Sequence, residues 1–120
     1  MDEATMKQRT KKFGLRIIKL VEALPKTQTA YVIGKQILRS GTSIGANYYA
    51  ACRGRSKADF ASKIGIALEE ADETLYWLEM IAEAGLMPMN RLEDLITEAN
   101  ELVSILVAST KTLRVNSGKD

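Results

Sequence analysis

The chain has no histidine. Histidine is the commonest general base near neutral pH and the commonest ligand of transition metals. Its absence excludes Ser-His and Cys-His nucleophilic catalysis, His-bearing zinc sites and the Glu-x-x-His motif of di-iron bundles. Only carboxylate–Mg²⁺ chemistry, or a lysine or tyrosine mechanism, stays open. The expectation is a protein that is not an enzyme, with no catalytic set, no metal site and no cofactor. Cysteine occurs once, as Cys52. That excludes an internal disulfide and suits a reducing compartment, here the cytoplasm. No apolar run approaches the ~18 residues a membrane span needs. Residues 1–9 lack the apolar core of a signal peptide, so no membrane partner is expected. Only two prolines, Pro25 and Pro88, interrupt 120 residues, and that scarcity leaves long uninterrupted helices open.

What the chain does contain is charge, unevenly placed. Residues 1–63 carry thirteen Lys/Arg against four Asp/Glu, a balance of +9. Residues 64–110 carry Arg91 alone against ten acids, a balance of −9, and the whole chain nets +2. Two readings follow. Helices from the two halves match opposite charges, within the chain or between subunits. Alternatively, the basic half presents a face to nucleic acid. The residues for the second reading are Lys7, Lys11, Lys12, Arg16 and Lys19 on the first helix, then Lys35, Arg39, Arg53 and Arg55. On the first helix they form a cationic stripe about 18 Å long. No exposed aromatic platform is interleaved with them, so the expected mode is phosphate contact rather than base reading.

Apolar periodicity predicts four helices, over about residues 4–24, 29–52, 57–84 and 91–114. Phe13, Ile17, Leu20, Val21 and Leu24 stripe the first, which Pro25 stops. Thr27 caps the second, where Ile33, Ile37, Ile44, Tyr48 and Ala51 fall within a band about 60° wide. Arg53-Gly-Arg55 makes the next turn, with Gly54 able to adopt the left-handed conformation that ends helices. Ser56 caps the third helix, with Asp59 at its third position. Gly85 closes that helix. Asn90 with Glu93 is expected to form a capping box for the fourth, striped by Leu92, Leu95/Ile96, Ala99, Leu102/Val103, Leu106 and Leu113. Residues 115–120 are expected to fray. The result is a single all-α domain, an antiparallel up-down-up-down four-helix bundle.

Several residues stand out against that frame. Gly34, Gly41, Gly45 and Cys52 form a small-residue stripe on the second helix, where a neighbouring helix can approach closely. Ala46 and Ala50 fall on its opposite side, which hints at a second contact surface. Asn47 lies beside the core stripe, about 60° from Ile44, and reads as a polar latch fixing register or as a ligand contact. Leu75-Tyr-Trp-Leu78 spans all sides of the third helix. Tyr76 and Trp77 are therefore expected at a subunit interface, or else at the edge of a wide core. Glu69, Asp72 and Glu73 share a face that Glu98 and Glu101 could oppose. This is a weak likeness to the Glu-Glu-x-x-Glu pattern by which all-α nucleotide pyrophosphohydrolases hold Mg²⁺; a solvated or salt-bridged face is the default. Cys52 reads as a small buried residue without a base.

One longer pattern carries a resemblance. Arg39-Ser-Gly-Thr-Ser-Ile-Gly-Ala-Asn-Tyr48, Arg55-Ser-Lys-Ala-Asp-Phe60 and Ala67-Leu-Glu-Glu-Ala-Asp-Glu-Thr-Leu-Tyr-Trp-Leu78 together resemble the bacterial four-helix-bundle family of 23S rRNA intervening-sequence proteins. That family is similar to the accessory variability protein of diversity-generating retroelements, a pentameric bundle that binds nucleic acid and a reverse transcriptase. The resemblance implies the same fold, a ring-like homo-oligomer, five subunits in the nearest analogy, and an RNA, DNA or protein partner. It supplies no reaction. Arg39, Ser43, Ile44, Asn47, Phe60, Glu70 and Leu78 match the family pattern, and Gly41 and Gly45 lie within its central element. Many members carry a glutamate soon after the asparagine; here Tyr49, Ala50 and Ala51 follow, so no polar role passes to that position.

Overall fold

The computed structural model describes the backbone of residues 1–119 and the side chains of residues 1–111. Four helices account for almost all of it: α1 (Glu3–Ala23), α2 (Gln28–Cys52), α3 (Lys57–Glu83) and α4 (Glu93–Lys119). No strand occurs among the described residues. The side chain of Leu113, expected in the α4 stripe, lies outside those described, as does Asp120; the tail 115–119, expected to fray beyond a helix ending near 114, instead continues α4 to Lys119. The molecule is a rod of 53 × 21 × 21 Å, and helices of this length span about 30–40 Å, so all four lie along its long axis.

Local chemistry explains most boundaries. The Asp2 carboxylate accepts the Thr5 N–H at 2.7 Å, Thr27 caps α2 through Ala30 at 3.1 Å, and Ser56 caps α3 through Asp59 at 3.1 Å. Leu24, before Pro25, is extended at φ −66°, ψ 153°, as a residue preceding proline should be. Gly85 takes φ 71°. The Leu86 N–H then reaches back to the Ile81 carbonyl and the Gly85 N–H to that of Ala82, the hydrogen-bond pair of a glycine-terminated helix.

Two boundary expectations are corrected. Gly54 does not have a positive φ; Gly85 is the one residue with one among those described. Gly54 instead provides room, since a Cβ there would meet the Ala51 carbonyl oxygen at 3.0 Å and Asp59 Oδ2 at 3.2 Å. Asn90 does not cap α4 either. It sits inside a single 3-10 turn, Met89–Arg91, and α4 starts three residues later at Glu93. Pro88 explains this: its extended ψ of 146° lets the Arg91 N–H close onto the Pro88 carbonyl, so one tight turn forms before the α-helix begins.

The core is the predicted apolar stripe. Phe13, Ile17, Ile37, Ile44, Ile64, Leu78, Leu102 and Leu106 are all buried. Met6, Thr10 and Gly14 extend the buried face of α1 toward α2. The Thr10 hydroxyl is satisfied within its own helix, donating to the Met6 carbonyl at 3.0 Å. Small residues set the α1–α2 spacing: a Cβ on Gly41 would lie 2.8 Å from Ile17 Cγ1, and one on Gly45 would lie 3.3 Å from Thr10 Oγ1. The small-residue stripe therefore faces a helix of its own bundle. The pairs Thr10/Gly45, Ile17/Gly41 and Val21/Gly34 run in opposite directions along the two helices. α2 is thus antiparallel to α1.

Between α2 and α3 the central pairing is polar. Thr74 and Ser40, both fully buried, bring their hydroxyls within 2.9 Å. The α1–α4 seam is the most sparsely packed, and charge closes it. Arg9 Nε and Nη2 each donate to a different oxygen of Glu98 at 2.7 Å, and Nη2 also reaches Glu101. A forked guanidinium on one carboxylate is the strongest ion-pair geometry side chains offer.

Candidate nucleic-acid interface

The basic stripe expected on α1 divides into two edges. At 100° per residue, Lys12, Arg16 and Lys19 lie within about 60° of one another, on the side toward α4. Lys7 and Lys11 fall on the side toward α2. Lys12 and Lys19 are exposed and make no ion pair among the described residues. Lys19 shares a cleft of about 170 Å³ with Arg91 across the α1–α4 seam, which adds a cation the nine expected residues did not include. Arg16 is half-buried. The Glu98 carboxyl is held below its ordinary range by the Arg9 hydrogen bond first, against the desolvation that opposes it, with Arg16 assisting from further away.

The remaining cations are more committed. Lys7 pairs with Glu3 at 3.1 Å and lies over the Tyr49 ring at 5.3 Å. Lys35 lies over the Tyr31 ring at 5.1 Å. This corrects the expectation that no aromatic ring accompanies the basic residues: Tyr31 is 66% exposed and stands beside Lys35. Arg39 donates to Glu70 at 2.8 Å and to Glu73, so it bridges α2 to α3. The Arg39 hydrogen bond is the main reason the Glu73 carboxyl lies below its ordinary range, and the Trp77 N–H, donating at 3.1 Å, adds to it. Arg53 and Arg55 are exposed at the α2–α3 turn.

The acidic residues separate in the same way. Glu98 and Glu101 face Arg9 rather than Glu69, Asp72 and Glu73, and no three acidic or thiol side chains gather as a cation site among the described residues. The two carboxylate groups lie on different seams of the bundle, each with an arginine between them and the opposing helix.

The central motif divides likewise. Gly41, Ile44 and Gly45 are buried, whereas Ser43 and Asn47 are half-buried and bond within α2: Ser43 Oγ to the Arg39 carbonyl at 2.6 Å, and Asn47 Nδ2 to the Ser43 carbonyl at 2.9 Å. The polar link between helices is made by Ser40 and Thr74, with Ser40 about two turns before the asparagine expected to make it. Trp77 is half-buried against the core, while Tyr76, 54% exposed, stacks edge-on against it at 5.0 Å. Cys52 is half-buried, its thiol pushed up by burial and then by Glu3. Burial also raises neighbouring Tyr48 to about 12. A thiol kept protonated is a poor nucleophile. No helix among the described residues is long and apolar enough to cross a membrane.

Comparison with known proteins agrees with the helical fold. The family model described as 23S rRNA-intervening sequence protein matches residues 2–108. The crystal structure of a protein of unknown function from the S23 ribosomal protein family of Bacteroides thetaiotaomicron is similar, at 39% identity and a TM-score of 0.86. The match covers 92% of this chain and 99% of that one. No curated protein matches.

Proposed function

The chain belongs to the 23S rRNA-intervening sequence protein family, and from that premise we propose that it is a non-enzymatic homo-oligomeric module of the cytoplasm that engages RNA through phosphate contacts. A ring of subunits, five by the family analogy, is the assembly in this reading. The observation that carries it is the outer edge of α1. Lys12 and Lys19 keep their charge unspent among the described residues, with Arg16 between them and Arg91 across the seam. Residues at this spacing place a cation about every 5–6 Å along the helix, close enough to meet successive phosphates of one strand. Arg39 contributes less than the sequence promised, because Glu70 and Glu73 already hold it. The non-enzymatic part rests on the lack of histidine and on carboxylates that arginines occupy.

Mobility shift with single-stranded RNA and duplex DNA, at low and moderate salt, tests the reading. Each phosphate contact contributes about 0.7 to the slope of log K against log salt on a single strand. The Lys12→Gln/Lys19→Gln double variant should therefore lose about 1.4 from that slope and bind on the order of tenfold more weakly at low salt. Absence of binding by the unaltered protein at low salt overturns it.

A further inference from the structure

Two exposed apolar surfaces are left unpartnered, and their charges are opposite. The first spans α1 and α2. Leu15, 55% exposed, and Ile18 project from α1, and Tyr31 and Leu38 from α2. Between the helices the floor is flat, because Gly14 and Gly45 bring them together: a Cβ on Gly14 would lie 3.6 Å from Thr42 Cα. Two shallow clefts mark this face. One is lined by Leu15, Ile18 and Tyr49 with Lys11, and the other by Val21, Tyr31 and Leu38 with Lys26 and Lys35. Glu22 is the single acid lining either cleft. From Tyr31 to Tyr49 the face runs about 27 Å.

The second surface is the outer side of α3. Ile66, Tyr76 and Met80 are exposed there and share about 80° of helix, over about 21 Å of length. The charged side chains among them are Glu69, Glu73 and Glu83, all at 20–100° on the same wheel by about 100° per residue.

We infer that the outer face of α3 on one copy of this chain docks on the α1–α2 face of a second copy, so that subunits join head to tail. Charge decides the pairing. Two α1–α2 faces would oppose lysines with lysines, and two α3 faces would oppose carboxylates with carboxylates, whereas α3 on α1–α2 sets Glu69 and Glu83 against Lys11 and Lys35. Opposite potentials favour the encounter, and like charges across an interface suppress the alternatives. The α3 face, about 21 Å long, fits within the about 27 Å of the α1–α2 face, and aliphatic Leu15 and Ile18 offer nothing to a phosphate. Such an interface joins two different surfaces, so an open assembly keeps one of each kind free, at its two ends, until the chain of contacts closes. The inference rests on the homo-oligomeric part of the proposed function and is independent of nucleic acid.

Mixing two variants tests it. Leu15→Glu/Tyr31→Glu breaks the α1–α2 face alone, and Ile66→Lys/Tyr76→Lys breaks the α3 face alone. All four positions are exposed, and a preserved melting transition checks that each variant folds. By light scattering each variant alone should fall from the wild-type mass to that of the 13.3 kDa chain. An equimolar mixture should form a one-to-one dimer of twice that mass, because one partner retains an intact α1–α2 face and the other an intact α3 face. A mixture that stays monomeric, or either variant alone keeping the wild-type mass, overturns the inference. A monomeric wild type overturns the homo-oligomeric reading beneath it.

Discussion

Gly41→Ala sets two known magnitudes against each other at one position. Replacing a mid-helix glycine with alanine ordinarily gains about 1 kcal/mol, because the unfolded chain loses freedom and the helix gains propensity. At Gly41 the added methyl would lie 2.8 and 2.9 Å from Ile17 Cγ1 and Cγ2, and 3.2 Å from its Cβ. Ile17 is fully buried and β-branched, so its χ1 has one comfortable setting in a helix and cannot swing aside. The helices must separate instead, at a cost of about 2–3 kcal/mol for an overpacked core. The net loss should be about 1–2 kcal/mol, or about 4–8 °C in Tm for a domain of this size. Gly65→Ala is the internal control: a Cβ there meets nothing within 4 Å, so it should raise Tm by about 2–4 °C. Thermal melts followed by circular dichroism, at one fixed protein concentration, measure both. In an Ile17→Ala background Gly41→Ala should become neutral or stabilising, a coupling of at least about 1 kcal/mol. Gly41→Ala stabilising the unaltered protein as Gly65→Ala does would refute the claim that Gly41 sets the α1–α2 distance.

The Arg9 clasp gives a pH dependence of known sign. The Glu98 carboxyl is lowered from 4.5, so its stabilising contribution is complete above about pH 4.5 and is lost as pH falls through the folded value. Glu98→Gln should cost about 1–3 kcal/mol at pH 7. It should also show a smaller acid decline than the unaltered chain in urea titrations at pH 7 and pH 3.5; equal declines would mean the clasp contributes nothing. At the buried hydroxyl pair, Thr74→Val alone should cost about 1–2 kcal/mol by taking the donor from the Ser40 oxygen, which keeps only its own bond to the Ile37 carbonyl at 3.4 Å. Adding Ser40→Ala should recover about half of that loss, and chemical denaturation of the three variants checks for the recovery.

Periodicity read the fold well, because burial repeats with the helix turn. Every stripe residue named for α2 and most of those for α1 and α4 are buried. The errors fell where a local signal competed with a second one. Asn90 and Glu93 have capping-box spacing, but Pro88 two residues earlier imposes a 3-10 turn that uses Asn90 inside it. Gly54 looked like a helix terminator because glycine commonly is one; here the tight α2–α3 junction needed the absent side chain and left φ negative. Asn47 was the obvious polar residue near the core. Yet Thr74 and Ser40 are the buried pair, and nothing in a hydroxyl residue's identity tells which partner it will meet 34 positions away.

Charge was legible in sign and not in use, and the two arginines show why. Arg9 was passed over and Arg39 was read as a phosphate contact, although both do the same thing: each crosses from one helix to a pair of glutamates on another. Their partners are separated from them by 31 to 92 residues, a distance over which no spacing rule operates. The imbalance of +9 against −9 is therefore partly cancelled inside the bundle, along the α1–α4 and α2–α3 seams. What it leaves outside is smaller and better sorted: lysines on the outer edge of α1, lysines around the α1–α2 apolar face, and Glu69 and Glu83 on the outer side of α3. That remainder is what the proposed docking of α3 on the α1–α2 face of a second copy would use, setting Glu69 and Glu83 against Lys11 and Lys35.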